Sequence, residues 1–220
     1  MSGRTAFLCD FDGTISPRDI GAAFVKRFSN GRDAERRALF ERWMSGTMGH
    51  RELTLAECAI VTAREDEARD FARTFELDPH FAPFARAAIA RGDRVMVVSE
   101  GFEFYVADHL ARAGLDGVPF AANRLVFDRG RVTPEFPHAA GGCGECGNCK
   151  AQHVRRLAAA GFRTVLVGDG LSDRCGARAA DVVLARGSLL EWCEREGIPA
   201  TPFGSFADVV LWAREGREVG

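Results

Sequence analysis

The chain has 220 residues, a net charge of −2, and 46% apolar against 27% charged residues. That length suits one large domain or a core with an inserted module, and the mix suits a globular chain with a proper core. It carries no basic block and no apolar stretch long enough to cross a membrane, so neither a nucleic-acid partner nor a membrane partner is expected.

The first predicted element is the apolar run Ala6-Phe7-Leu8-Cys9, a short buried strand. It ends in Asp10-Phe11-Asp12-Gly13-Thr14, two carboxylates two residues apart. Gly13 permits a sharp bend there, so the two side chains need not stay parallel. Carboxylates at the carboxyl end of a strand in an open α/β sheet are a candidate site, and a solvated turn is the plainer alternative. Apolar spacing then predicts helices over 20–28, 33–44, 51–62 and 65–75, with no strand among them.

Pro79 is expected to open a helix that Arg91-Gly92 closes. Arg94-Val95-Met96-Val97-Val98-Ser99 reads as a strand buried on both faces, and a helix is predicted over 102–113. The stretch 125–132 alternates and turns at Arg129-Gly130, like a hairpin. A Pro-, Gly- and Cys-rich loop, 137–149, precedes a helix over 150–160. A strand over 164–169, a helix over 173–180, a strand over 181–185 and helices over 189–196 and 206–215 complete the chain. Strands alternating with helices predict an α/β fold with a central parallel sheet.

Seven cysteines, an odd number, and a chain that enters its first strand almost at once predict a reducing, cytoplasmic setting without a signal peptide. Cys9, Cys58, Cys175 and Cys193 read as small buried hydrophobes. Cys143, Cys146 and Cys149, with His138 upstream, offer enough ligands for a tetrahedral structural zinc, although their spacing is not the usual paired one. A reduced Gly-Cys loop is the alternative.

Asp10-Phe11-Asp12-Gly13-Thr14 resembles the first motif of the haloacid dehalogenase superfamily, most of whose members are phosphatases. Three further motifs of that family have counterparts in order. Ser99, in Val97-Val98-Ser99-Glu100-Gly101, stands where the family has a Ser or Thr, with Glu100 replacing a common glycine. Lys150 stands ahead of a helix, where the family has its Lys. Gly168-Asp169-Gly170-Leu171-Ser172-Asp173 matches Gly-Asp-Gly followed two residues later by Asp. The resemblance implies a Rossmann-like core over 1–16 and 78–220 and an inserted helical cap over 17–77, as in the smaller-cap subfamily.

It also implies roles. Asp10 would attack phosphorus and Asp12 would act as general acid and base. Ser99, Glu100 and Lys150 would line the phosphate site, with Glu100 pointing away or meeting a cationic substrate group. Asp10, Asp12, Asp169 and Asp173 would form the metal site. Two like charges ~4 Å apart cost roughly 4 kcal/mol at an effective dielectric of ~20, so these carboxylates and a phosphate require a divalent cation. Oxygen-only ligands beside a phosphate favour Mg²⁺.

The Cys-rich loop ahead of Lys150, Pro137-His138 and the tail Ala185-Arg186-Gly187-Ser188-Leu189-Leu190 resemble a narrower branch of methionine-salvage and phosphoethanolamine/phosphocholine phosphatases. The implied activity is hydrolysis of a small phosphorylated metabolite. Phosphoserine phosphatases are the rival within the subfamily. They carry a Glu that meets the substrate amino group, and Asp19 holds the corresponding place here. A silent phospho-ligand-binding regulator is the non-enzymatic rival. The sequence does not specify an oligomeric state.

Overall fold

A computed structural model describes residues 4–215. Its centre is β1 (Thr5–Cys9), every residue of which is buried. β1 pairs in parallel with β2 (Arg94–Phe102) on one side and with β5 (Arg163–Gly168) on the other. Outward from β2 lies β3 (Phe120–Asp128), and the antiparallel β4 (Arg131–Glu135) forms that edge. Outward from β5 lie β6 (Val182–Ala185) and a two-residue β7 (Thr201–Pro202), both parallel. The chain therefore builds one side of β1, then crosses to build the other. β1 is the topological switch point, and the crevice beyond its carboxyl end is where open α/β sheets bind ligands.

Alternation along the strands divides the core. Phe7, Cys9, Val97 and Val167 face one cluster, which includes α5 (Phe81–Ala90), α6 (Glu103–Arg112) and α10 (Phe206–Glu215). Leu8, Val98 and Leu166 face the other, with α7 (Lys150–Ala159) and α9 (Gly187–Glu196). Both faces being covered explains the nearly unbroken apolar runs in β1, β2 and β5.

The segment between β1 and β2 supplies α1 (Ile20–Phe28), α2 (Asp33–Met44), α3 (His50–Ala59) and α4 (Glu65–Ala72) before α5. The three helices α1, α3 and α4 send Phe24, Phe28, Cys58 and Ala68 into the same cluster as Phe102, Phe104 and Tyr105. By contrast, α2 buries no residue, and Phe40 and Met44 on it are exposed.

Three elements depart from their predicted form. β2 does not stop at Ser99. It continues to Phe102 through an irregularity, because Val98 pairs with Ala121 and Phe102 with Asn123. Three residues on β2 thus face one on β3, a bulge that turns Ser99-Glu100-Gly101 out of the regular ladder. The helix predicted over 173–180 is instead a 3-10 turn, Leu171–Asp173, followed by the short α8 (Arg174–Ala177). The Asp173 carboxylate accepts the Asp169 and Gly170 N–H groups and so bends the chain back on itself. The helix expected from Pro79 begins at Phe81, since the Asp78 side chain accepts the His80 N–H. The hairpin at Arg129-Gly130 forms as expected, with both residues at positive φ, as a two-residue primed turn requires.

Phe24 tests how far α1 belongs to the common core. Its ring lies 5.1 Å from Phe28, 6.0 Å from Phe104 and 6.4 Å from Phe102. Phe24→Ala should cost about 3–5 kcal/mol. In urea, a single transition with a lower midpoint and an unchanged slope is expected, and two separate transitions would show that the helical block unfolds by itself.

Candidate active site

The carboxylates of Asp10, Asp169 and Asp173 come within 4.8 Å of one another beyond the ends of β1 and β5. Each is placed by a different local device. Asp10 follows β1 directly, and its N–H bonds the Val167 carbonyl, extending the sheet by one residue. Asp169 accepts the Thr14 hydroxyl at 2.7 Å. Asp173 is fully buried and held by the two backbone donors already described. Gly13 is needed between them. Its φ is +78°, and a Cβ there would lie 2.3 Å from the Asp169 carboxylate.

Lys150, the first residue of α7, reaches into this group and is itself fully buried. Its Nζ donates to Asp10 Oδ1 at 2.6 Å and also to Asp173 Oδ1. Burial alone would depress the ammonium, but Asp10 and Asp173 outweigh it and hold Lys150 charged. Asp10 is pushed well above the ordinary carboxylate range, by burial first and then by Asp173 and Asp169, against Lys150. Burial and Asp173 likewise raise Asp169 to about 6. Three carboxylates around one ammonium leave the group short of positive charge, and oxygen-only donors at this spacing fit a hard divalent cation.

Asp12 does not join them. The sequence reading grouped it with the metal-binding carboxylates, but its side chain is held instead by the start of α1 and by Tyr105. Asp12 Oδ1 accepts the Ile20 and Gly21 N–H groups at 2.8 and 3.4 Å, at the start of α1. Asp12 Oδ2 accepts the Tyr105 hydroxyl at 2.6 Å and the Ser99 hydroxyl at 3.4 Å. Burial, then Asp19, raise its carboxyl to about 7, against the hydrogen bonds from Tyr105, Ile20 and Gly21. Asp12 is thus poised to exchange a proton near neutrality.

The β2 bulge brings Ser99 and Gly101 to the wall beside Asp12. Ser99 Oγ accepts the Gly101 N–H at 2.8 Å. A side chain at Gly101 would collide with the Tyr105 hydroxyl and with Asp12. Glu100 is turned away from this wall and is occupied by the protein itself. Its carboxylate accepts the Gly147 and Asn148 N–H groups at 3.1 and 3.2 Å and lies 3.2 Å from His50 Nδ1 on α3. Against its burial, His50 and Lys150 keep Glu100 in its charged form. Placed at the phosphate site by the resemblance and expected to point away or to meet a cationic group, Glu100 ties β2 to the loop ahead of Lys150 and to the helical block.

Asp10, Asp12, Asp19, Ser99 and Asp169 line one pocket, roofed by Val25, Phe40, Trp43 and Leu53 from the helical block. Asp19 caps α1 by accepting the Ala22 N–H at 2.7 Å. Glu57, on α3, also lines the pocket, and burial raises its carboxyl to about 7. The sequence reading did not single out Tyr105, His50, Glu57, Thr14 or Trp43. Tyr105 carried one usable signal, being the chain's sole tyrosine.

The predicted group of His138 with Cys143, Cys146 and Cys149 is also corrected. The His138 ring lies 5.7 Å from that of His153, and the fourth side chain that meets the three cysteines is Cys175. Cys175 lies two residues beyond Asp173, in α8, where the sequence reading took it for a core residue.

The raised Glu57 carboxyl has a consequence for stability. An acid whose folded pKa exceeds its unfolded value binds more protons when folded, so stability falls as pH rises between the two, here from about 4.5 to about 7. Glu57→Gln should remove that loss, making the variant about 1–3 kcal/mol less sensitive to pH across this window. Urea midpoints at pH 5 and pH 8 measure it, and parallel shifts in the two proteins would contradict it.

Residues 7–178 match the family described as haloacid dehalogenase-like hydrolase. The chain is 31% identical over 217 residues to a 2-hydroxy-3-keto-5-methylthiopentenyl-1-phosphate phosphatase of Brevibacillus brevis, covering 96% of this chain and 95% of that one. It is also 31% identical over 214 residues to the Geobacillus kaustophilus protein of the same name, covering 96% of each. Among solved structures, a substrate-bound phosphoserine phosphatase aligns over 96% of this chain and 99% of its own, with a TM-score of 0.74 at 18% identity. A phospho-aspartyl intermediate analogue of phosphoserine phosphatase aligns over the same shares, with a TM-score of 0.74 at 20% identity, so this likeness is one of fold. The match over most of the chain and the full-length relatives above 30% identity make this chain a member of the haloacid dehalogenase-like hydrolase family.

Proposed function

We propose that the chain hydrolyses a small phosphorylated metabolite through an aspartyl-phosphate on Asp10, with Asp12 moving the proton. The observation that supports this most directly is the division between the two carboxylates. Asp10 and Asp12 both line the pocket, but Asp10 is tied to the buried Lys150 behind it, and Asp12 is bound by Tyr105 and held near neutral pKa. In the first step an Asp10 oxygen forms a bond to phosphorus while the ester oxygen leaves and takes the proton from Asp12. In the second, Asp12, now ionised, accepts a proton from water as the water oxygen attacks phosphorus, releasing inorganic phosphate and Asp10.

Ser99 and Lys150 would hold phosphoryl oxygens, and Tyr105 would keep Asp12 aimed at the bond being broken. Mg²⁺ is the proposed cofactor, and Asp10, Asp169 and Asp173 would hold it. When bound, it would neutralise charge between these carboxylates and the phosphoryl oxygens. The helices from 17 to 77 would serve as the cap, since Val25, Phe40, Trp43 and Leu53 close the pocket from that side.

The pocket also supports a substrate class. The relatives' named substrate has hydroxyl and keto groups near the phosphate and a methylthio end. Polar Asp19 and His50 and the apolar Val25, Phe40, Trp43 and Leu53 offer partners for both parts. Phosphoserine is the second reading, favoured by the carboxylate of Asp19 on the same wall.

Phosphate release with Mg²⁺ from 2-hydroxy-3-keto-5-methylthiopentenyl-1-phosphate and from phosphoserine should favour the former in kcat/KM. The reverse order would assign the pocket to the amino acid. Asp10→Asn should lower kcat by about 10,000-fold or more while far-UV circular dichroism still reports a native fold, and near-normal turnover would sink the mechanism.

A further inference from the structure

We propose that Cys143, Cys146, Cys149 and Cys175 form a structural zinc site, separate from the pocket, that clips the loop ahead of Lys150 to helix α8.

The four sulfurs lie within 4.8 Å of one another. Four thiolates around one tetrahedral zinc, each about 2.3 Å from the metal, stand about 3.8 Å apart, so the group needs only a small contraction to close. A polynuclear iron–sulfur cluster distributes its thiolates over several irons and spreads them further. All four cysteines are free thiols, and Cys146 and Cys149 are buried. Binding would displace the thiol protons and involves no change of oxidation state.

Two segments contribute, and both adjoin the candidate active site. Cys149 immediately precedes Lys150, and Cys175 follows Asp173 by two residues. Lys150 and Asp173 are themselves in contact. The loop has little apolar material of its own. Its second half is held by Glu100 through Gly147 and Asn148, and by the Asn148 side chain, which donates to Ser99 O and Ala121 O at 2.9 Å. Around Cys143 to Cys146 the support is thinner, with the Glu145 carbonyl accepting the Arg51 N–H at 2.8 Å. A zinc there would supply what that half lacks and would fix α8 against the start of α7. All four positions are filled by protein, so the metal would take no part in the reaction.

The test is elemental analysis of the full chain purified without added metal or chelator, with zinc X-ray absorption on the same sample. About one equivalent of zinc in a shell of four sulfurs is expected. Less than about one-tenth equivalent, two disulfides by intact mass, or a shell of three sulfurs and one nitrogen would overturn the assignment. The last outcome would return the fourth position to a histidine. The wild-type measurement decides without any variant. Cys175→Ser should then lower zinc content at least about tenfold, while His138→Ala keeps it. Stripping zinc with a strong chelator should lower the Tm by about 5 °C or more, and an unchanged Tm would refute the clip.

Discussion

The ammonium of Lys150 is the constraint around which the active end of this protein is arranged. It is fully buried, and an unpaired buried charge costs several kcal/mol. Asp10 and Asp173 are therefore obligatory partners, although they lie 140 and 23 residues away in the chain. Three segments must meet at one point for the charge to be tolerated: the end of β1, the start of α7 and the turn after β5. Asp169 adds a third carboxylate, so the assembled group carries more negative charge than Lys150 can neutralise. The same group that stabilises the lysine thus leaves room for a cation and, with it, a phosphoryl group.

The sheet makes that meeting possible. With β1 at the switch point, the ends of β2 and β5 flank it and deliver their following residues to the same side. Two local irregularities then set the side chains. The bulge in β2 lifts Ser99 and Gly101 to one wall, and the left-handed Gly13, lacking a Cβ, lets the Asp169 carboxylate approach the chain beside Asp12. The N–H groups that open α1 and the Tyr105 hydroxyl hold the Asp12 side chain apart from the other three carboxylates. The separation allows one carboxyl to sit against an ammonium and the other against a phenol, two different settings within one pocket.

The helical block is joined to the core by shared aromatic packing. Phe24 and Phe28 on α1 lie in one cluster with Phe102, Phe104 and Tyr105. Tyr105 also carries the hydrogen bond to Asp12, so the packing that anchors the block orients that carboxyl too. Glu100 makes a second junction, binding His50 of the block and the loop ahead of Lys150. The pocket is consequently bordered by elements whose positions depend on one another.

The sequence by itself determined the strands β1 and β5 and the regular part of β2, because short apolar runs bounded by turn residues and rich in β-branched side chains suit strands buried on both faces. It also determined the helices of the block from their spacing, and its resemblance to four family motifs in order marked Asp10, Asp12, Ser99, Lys150, Asp169 and Asp173. Direction and partnership were decided only by the tertiary structure. A motif does not reveal that the Asp12 side chain is held by Ile20, Gly21 and Tyr105 away from the other carboxylates, or that Glu100 bonds backbone N–H groups 47 and 48 residues away. Nor does spacing reveal that Cys175, and not His138, completes the set of four sulfurs, because α8 is brought to the loop by the sheet and not by the chain. Local pattern reports which face a residue prefers, and contacts across the chain depend on how the sheet orders its strands.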